Sequence, residues 1–142
     1  MSKGDTYEND ILLLLFNAVA IANIADNTAT APLASLFVSA HTADPGEAGS
    51  QTGSECAYTG YVRVTVARTA GGWTVAANSV SPVANIDFPP STSGPETITD
   101  GMIGTLVSGA GIQLYRGAVT PNIVVNNGVT PRFTTASTIT ED

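Results

Sequence analysis

Apolar positions change their period once along this chain, dividing it into a helical start and a long β-rich remainder. Between residues 7 and about 25, Ile11, Leu14, Leu15, Ala18 and Ala22 follow i, i+3, i+4 spacing, with Glu8 and Asp10 near the positive end of the helix dipole. This spacing predicts one N-terminal helix. Leu12, Phe16, Val19 and Ile21 widen its apolar stripe until little but Asp10, Asn17 and Asn23 remains polar, so cover on more than one side is expected. A sheet of the same chain or a neighbouring subunit can supply that cover. Ile11, Leu14, Leu15, Phe16 and Val19 are therefore the candidate interface residues.

After the polar linker Asp26-Asn27-Thr28-Ala29-Thr30 the period becomes two. Leu36-Phe37-Val38-Ser39-Ala40-His41 has strand chemistry and stops in Thr42-Ala43-Asp44-Pro45-Gly46, where Pro45 presets a turn φ and Gly46 accepts a positive one. Val62, Val64 and Val66 alternate with polar or small residues, and Trp73, Val75 and Ala77 resume the pattern beyond Ala70-Gly71-Gly72, which predicts a hairpin across that break. Further strands are expected at Asn85 to Phe88, Ile103 to Val107, Ile112 to Arg116 and Ile123 to Val125, with a tight turn at Asn126-Asn127-Gly128 and a last strand from Arg132 to Thr140. Gly46 to Gly60 and Pro89 to Pro95 read as exposed loops. About seven short strands after one helix predict a mainly β fold: an antiparallel β-sandwich or barrel-like domain with one N-terminal α-helix. At 142 residues the expectation is a single domain, with the helix at about 7–25 and the β domain at about 33–140.

Charge sharpens this picture. Only 12% of residues are charged against 43% hydrophobic, so Thr, Ser, Asn and Gly must build the surface, a composition that suits residence in an assembly. Lys3, Arg63, Arg68, Arg116 and Arg132 form no cluster in a chain of net charge −7, which argues against nucleic-acid binding. The apolar run Ile11 to Ile24 is too short for a bilayer span and is broken by Asn17 and Asn23, so no membrane role is expected. Small residues at Ala18-Val19-Ala20 resemble a cleavage site, but Asp5, Glu8 and Asp10 are wrong for the segment preceding a signal peptide.

Candidate chemistry is sparse. His41 lies two residues from Ser39 and three from Asp44, yet no nucleophile elbow of the Gly-x-Ser-x-Gly kind accompanies them; a strand-end histidine satisfied by a turn is the expected reading. One His and one Cys, fifteen residues apart, give no metal-ligand pattern, and Asp44, Glu47 and Glu55 lack the dense Asp/Asn alternation of a calcium loop. Gly101-Met102-Ile103-Gly104 and Gly109-Ala110-Gly111 read as strand-flanking turns and not as phosphate cradles. Tyr58, Tyr61 and Trp73 make a sugar platform only if exposed together; Trp73 is expected in the core. No catalytic residue, cofactor or metal is expected.

Several segments in fixed order carry a resemblance. They are Tyr7-Glu8-Asn9-Asp10-Ile11-Leu12, Pro32 through Gly46, Gly60-Tyr61-Val62-Arg63-Val64, the single Trp73, Asn85-Ile86-Asp87-Phe88-Pro89, Gly117-Ala118-Val119-Thr120-Pro121, and Asn127 through Phe133. Together they resemble small tailed-bacteriophage virion proteins, a family labelled tail fibre proteins and similar to capsid-decorating proteins. The stretch Pro95 to Ala110 departs from that family's pattern, with Pro95-Glu96-Thr97 and Leu106-Val107-Ser108 where a Trp-Gly and an acidic Ile-Phe-Asp segment are usual.

The resemblance implies a non-enzymatic structural protein of the virion. The leading expectation is a capsid decoration, or cement, protein on the capsid exterior. It would bind the major capsid protein and self-associate as a homotrimer, with Ile11, Leu14, Leu15, Phe16 and Val19 in the subunit or capsid interface. The alternative is a tail-fibre or receptor-binding module contacting a host surface receptor. In either case Asp44, Pro45, Gly46, Glu47 and Tyr58 form the candidate partner-contact loop.

Overall fold

A computed structural model describes residues 5–21 and 32–141. In chain order its elements are α1 (Asp5–Asn17), β1 (Ser35–His41), β2 (Val64–Ala67), β3 (Trp73–Ala76), β4 (Ser79–Pro82), β5 (Ile86–Asp87), β6 (Glu96–Gly104), β7 (Gln113–Val125), β8 (Arg132–Phe133) and β9 (Ile139–Thr140). The chain is mainly β with antiparallel pairing and one helix, as the periodicity predicted. Among the described residues no sheet closes into a barrel. Two compact units form, one from segments 36–66 and 86–133, the other from the chain outside them.

In the helical unit, α1 packs on the β3–β4 hairpin, and the three-stranded sheet runs β3-β4-β9. Phe16 and Trp73 are both buried and meet edge to face with ring centroids 4.9 Å apart, beside buried Leu12 and Val80. The indole Nε1 of Trp73 is buried and has no acceptor among the described residues.

The helix stops at Asn17, short of the expected 25; residues 22–25 of that expectation lie outside the described residues. Ala18 takes φ +56°, and the Val19 amide donates back to the Leu13 carbonyl at 3.1 Å, a six-residue closure of the kind that ends helices at a left-handed residue. Periodicity cannot register this stop, because Ala stands where Gly is usual. The last turn holds no basic residue. Arg68 takes that part from a distance, donating to the carbonyls of Leu14 (2.5 Å) and Leu15 (2.6 Å), and also to Leu33 (3.1 Å). A cation there complements the negative helix end and satisfies carbonyls that have no helical partner.

The hairpin expected across Ala70–Gly72 does not form. β2 joins β1, while β3 pairs with β4 through a turn at Ala77 (φ +54°) and Asn78, with Ala76 opposite Ser79. The alternation located both strands correctly but carries no information about their partners.

In the other unit the sheet order is β2-β1-β6-β7. β1 runs antiparallel to β6 from Phe37↔Gly104 to His41↔Asp100, and β6 pairs with β7 with irregularities between Ile98 and Asp100 and between Ile103 and Gly104. Two strands expected at 112–116 and 123–125 are one, β7, whereas the expected strand at 103–107 is the end of β6, leaving Leu106 and Val107 in a loop. The expected last strand is split: β8 pairs with β5, and β9 with β4. A turn in which Ser137 N–H donates to the Thr134 carbonyl at 3.0 Å separates them. Tyr58, Tyr61, Phe88 and Phe133 form a continuous aromatic row with centroid spacings of 5.4, 6.0 and 5.1 Å. Gly101 lies under the Phe133 ring, where a Cβ would approach Cε2 to 2.9 Å.

Candidate functional site

The segment read as an exposed loop, Gly46 to Gly60, is largely folded into its unit. Thr42 N–H donates to Ser54 (2.8 Å) and Cys56 N–H to Ala40 (2.9 Å), returning the chain along the end of β1. Its polar residues go inward. Gln51 is fully buried and pairs its amide with the backbone of Leu106, accepting from the N–H at 2.9 Å and donating to the carbonyl at 3.3 Å. A Cβ on Gly104 or Gly111 would collide with the Gln51 side chain, so both positions need glycine for lack of space.

Glu55 and Arg63 complete the clamp. The Arg63 fork donates from Nε to Glu55 Oε1 (2.6 Å) and from Nη2 to Oε2 (2.7 Å). Its remaining reach goes to the carbonyls of Leu106 and Gly109, each at 2.8 Å. Tyr61 donates its hydroxyl proton to Glu55 Oε1 (3.0 Å) and accepts from Ala40 N–H (3.0 Å). With Arg63 only 5% exposed, these bonds replace water around a charge that could not otherwise be buried. The bidentate bond to Glu55 holds the Arg63 guanidinium above its ordinary pKa.

His41 ends β1 fully buried beside fully buried Ser39. Its Nδ1 donates to the Gly53 carbonyl (2.8 Å), so in the neutral ring Nε2 accepts from the Ser39 hydroxyl (2.8 Å). Burial is the main cause holding its pKa below the ordinary histidine value. Serine and histidine thus meet as in a nucleophile–base pair, but neither has a surface open to a substrate. Asp44, the third member of the tempting triad, instead faces Arg116 Nη1 at 2.5 and 2.6 Å and accepts from Gly46 N–H at 2.9 Å. Burial and the neighbouring Glu96 push the Cys56 thiol up to about 12, so it is not a ready nucleophile.

The residues singled out from sequence fall into different environments. In the candidate loop, Asp44 and Glu47 are exposed and Pro45 and Gly46 half-buried, whereas Tyr58 is 6% exposed and donates its hydroxyl proton to Pro89 O at 3.0 Å. Tyr58 is therefore apart from the surface of the other four, and with Trp73 also buried no exposed sugar platform exists. On the helix, Ile11, Leu14 and Leu15 are half-buried, Phe16 is given over to the chain's own core, and Val19 is exposed beyond the helix end. Asp44, Glu47 and Glu55 do not converge, and among the described residues no group of three or more His, Cys, Asp or Glu is placed to hold a metal. No helix among them is long and apolar enough to cross a membrane.

Sequence reasoning missed the surface that the clamp supports. The loop joining β6 to β7 exposes Leu106, Val107 and, most of all, Ile112 at 68%. Thr105 closes it, donating N–H to the Ile112 carbonyl (3.2 Å) and accepting at Oγ1 from Ile112 N–H (3.0 Å). The apolar residues resembled strand core; the glycines around them were the available signal of a tight tip.

Beyond this geometry, the family model for Gp80, podophage GP4 fiber I protein gp80, matches residues 4–141. The chain belongs to this family. No curated protein matches it. Membership makes it a phage fibre-family protein with a structural, virion-associated role. The resemblance to phage virion proteins noted in the sequence agrees with that assignment.

Proposed function

We propose that this chain is a non-enzymatic building block of a podophage fibre, presenting a rigid β unit to its partners and self-associating through its helical unit. The observation that carries this reading is the fibre-family match across residues 4–141. The family's description supports a fibre over capsid decoration, the reading that led on sequence grounds. The geometry supports structure over catalysis: the groups that resemble a catalytic pair, Ser39 and His41, are sealed in the core as hydrogen-bonding struts.

Self-association falls to Ile11, Leu14, Leu15 and Val19, which keep apolar surface while Phe16 secures the helix to β3. A homotrimer is the assembly we assign to this face. The exposed turn Asp44 to Glu47, braced by Arg116, is the proposed contact for a further partner, the host surface in a fibre and the major capsid protein in a decoration protein.

Localisation on the particle decides between them. Antibody-gold labelling of purified virions, with the copy number measured against the major capsid protein, is expected to place the chain on fibres at low stoichiometry. Hundreds of copies spread over the head would overturn the fibre reading in favour of decoration.

A further inference from the structure

The longest strand of the molecule is also an edge. β7 pairs with β6 on one side, and among the described residues no strand pairs with the other. Between Gln113 and Ala118 its pairing follows β6 closely; beyond Ala118 the register jumps, with Ile123 the next β7 residue to face a β6 partner, Ile98. A regular stretch of edge with open N–H and C=O groups is a template for another strand, and the irregularity that follows limits how far pairing can run.

Charge identifies the occupant. From Gly101 through Thr140 the sequence contains no Asp or Glu, although the whole chain carries twelve acidic residues and a net charge of −7. The one charged side chain in β7, Arg116, is already neutralised by Asp44 of the same chain. A basic partner finds no free carboxylate along this strand, and an acidic one meets an occupied arginine. A second copy, repelled elsewhere by its own negative charge, can approach here without a like-charge penalty.

The tip that precedes β7 adds apolar surface and rigidity. Leu106, Val107 and Ile112 are exposed, yet the backbone beneath them is fixed by Arg63 at Leu106 and Gly109, and by Gln51 at Leu106 and Gly111. A preorganised tip loses little entropy on being covered.

We infer that a second copy of this chain adds to the β7 edge along Gln113–Ala118, antiparallel about a two-fold axis, covering Leu106, Val107 and Ile112. Identical edges related by a two-fold axis meet antiparallel, so the contact needs no second, different surface. It is separate from the helix face invoked for self-association, and does not depend on where the protein sits on the virion.

Sedimentation of the purified full chain over a concentration series, with hydrogen exchange read residue by residue, tests it. The expected result is a concentration-dependent doubling of mass. With it, alternate amides of Gln113–Ala118, those facing away from β6, slow as concentration rises. Ile112→Lys with Ala118→Lys should weaken the doubling at least tenfold while Trp73 emission stays native, as charges on an edge block strand addition. A mass constant at all concentrations overturns the inference. So does a doubling that survives both lysines, or one that is lost with Val19→Lys while the β7 amides exchange at unchanged rates. Because the exchange signature is read on the unmodified chain, it decides the matter even if the lysine variant fails to fold.

Discussion

The two units hold themselves together by different physics. The helical unit is organised around an apolar contact, Phe16 on Trp73, with one arginine closing the helix end. The other unit buries Ser39, His41, Gln51 and Arg63 and fixes a long loop and a hairpin tip through their hydrogen bonds. Apolar contacts weaken gradually as atoms are removed, whereas a buried polar network fails when one member leaves the others unpaired. The first unit should therefore respond to mutation by degrees and the second abruptly. The chain provides a reporter for each: its single Trp lies in the helical unit and its single Cys, buried, in the other.

The largest effect is expected from Arg63→Ala. It leaves Glu55 without its cation and the Leu106 and Gly109 carbonyls without donors, a loss of about 3–5 kcal/mol. Urea unfolding measures the total, and thiol labelling locates it: Cys56 should react sooner under mild urea. Arg63→Lys should recover little, because an ammonium cannot reproduce the fork. Glu55→Ala combined with Arg63→Ala should cost clearly less than the two single losses added, the mark of a coupled pair. Strict additivity would show that the clamp is not the cooperative unit described above.

Arg68→Ala is the counterpart in the helical unit and should cost about 1–2 kcal/mol, since it removes a charge-assisted cap without leaving a buried partner charge. Exchange should quicken at the C-terminal end of α1 and Trp73 emission should shift, with Cys56 labelling unaffected. Equal movement of both reporters would mean that the two units unfold as one, and the contrast drawn between them would fail.

Acid offers a milder probe of the polar unit. His41 is the only histidine, and burial holds its folded pKa below the ordinary value of 6.5. The unfolded chain then binds a proton that the folded one refuses, so stability is intact above pH 6.5 and falls as pH drops through 6.5 toward the folded pKa. Glu55 and Asp100 near the ring oppose this shift and Arg63 assists it. Melting temperature measured from pH 8 to 5 should decline, and His41→Gln should be less stable at pH 8 but flatter across that range.

These tests turn on features that the sequence showed unevenly. The period of Ile11, Leu14 and Leu15 announced the helix, and the valine alternations announced strands, because both patterns are local consequences of which side is buried. The pairing of β2 with β1, and the split of the tail between β8 and β9, depend on long-range contacts that no local pattern encodes. The clamp was hidden for a related reason. Gln51 and Glu55 sit in a polar, Gly-rich stretch that looks like solvent-facing loop, and only the approach of Leu106 and Arg63 makes their burial tolerable. Leu106, Val107 and Ile112 misled in the opposite sense, their apolar character suggesting core where the structure has surface.

The smallest expected effect is a gain. Ala18 ends α1 in the left-handed region at φ +56°, a conformation that costs an L-residue with a Cβ roughly 1 kcal/mol and costs glycine almost nothing. Ala18 is exposed, so replacing its methyl group removes little packing. Ala18→Gly also enlarges the conformational freedom of the unfolded chain, which offsets part of the relief. The net expectation is stabilisation by about 0.5 kcal/mol, visible as a higher urea midpoint for Trp73 emission and no change in Cys56 labelling. A loss of stability in this variant would show that the helix does not terminate through Ala18. The periodicity that carried the expected helix on toward residue 25 would then describe α1 better than the Schellman-type stop does.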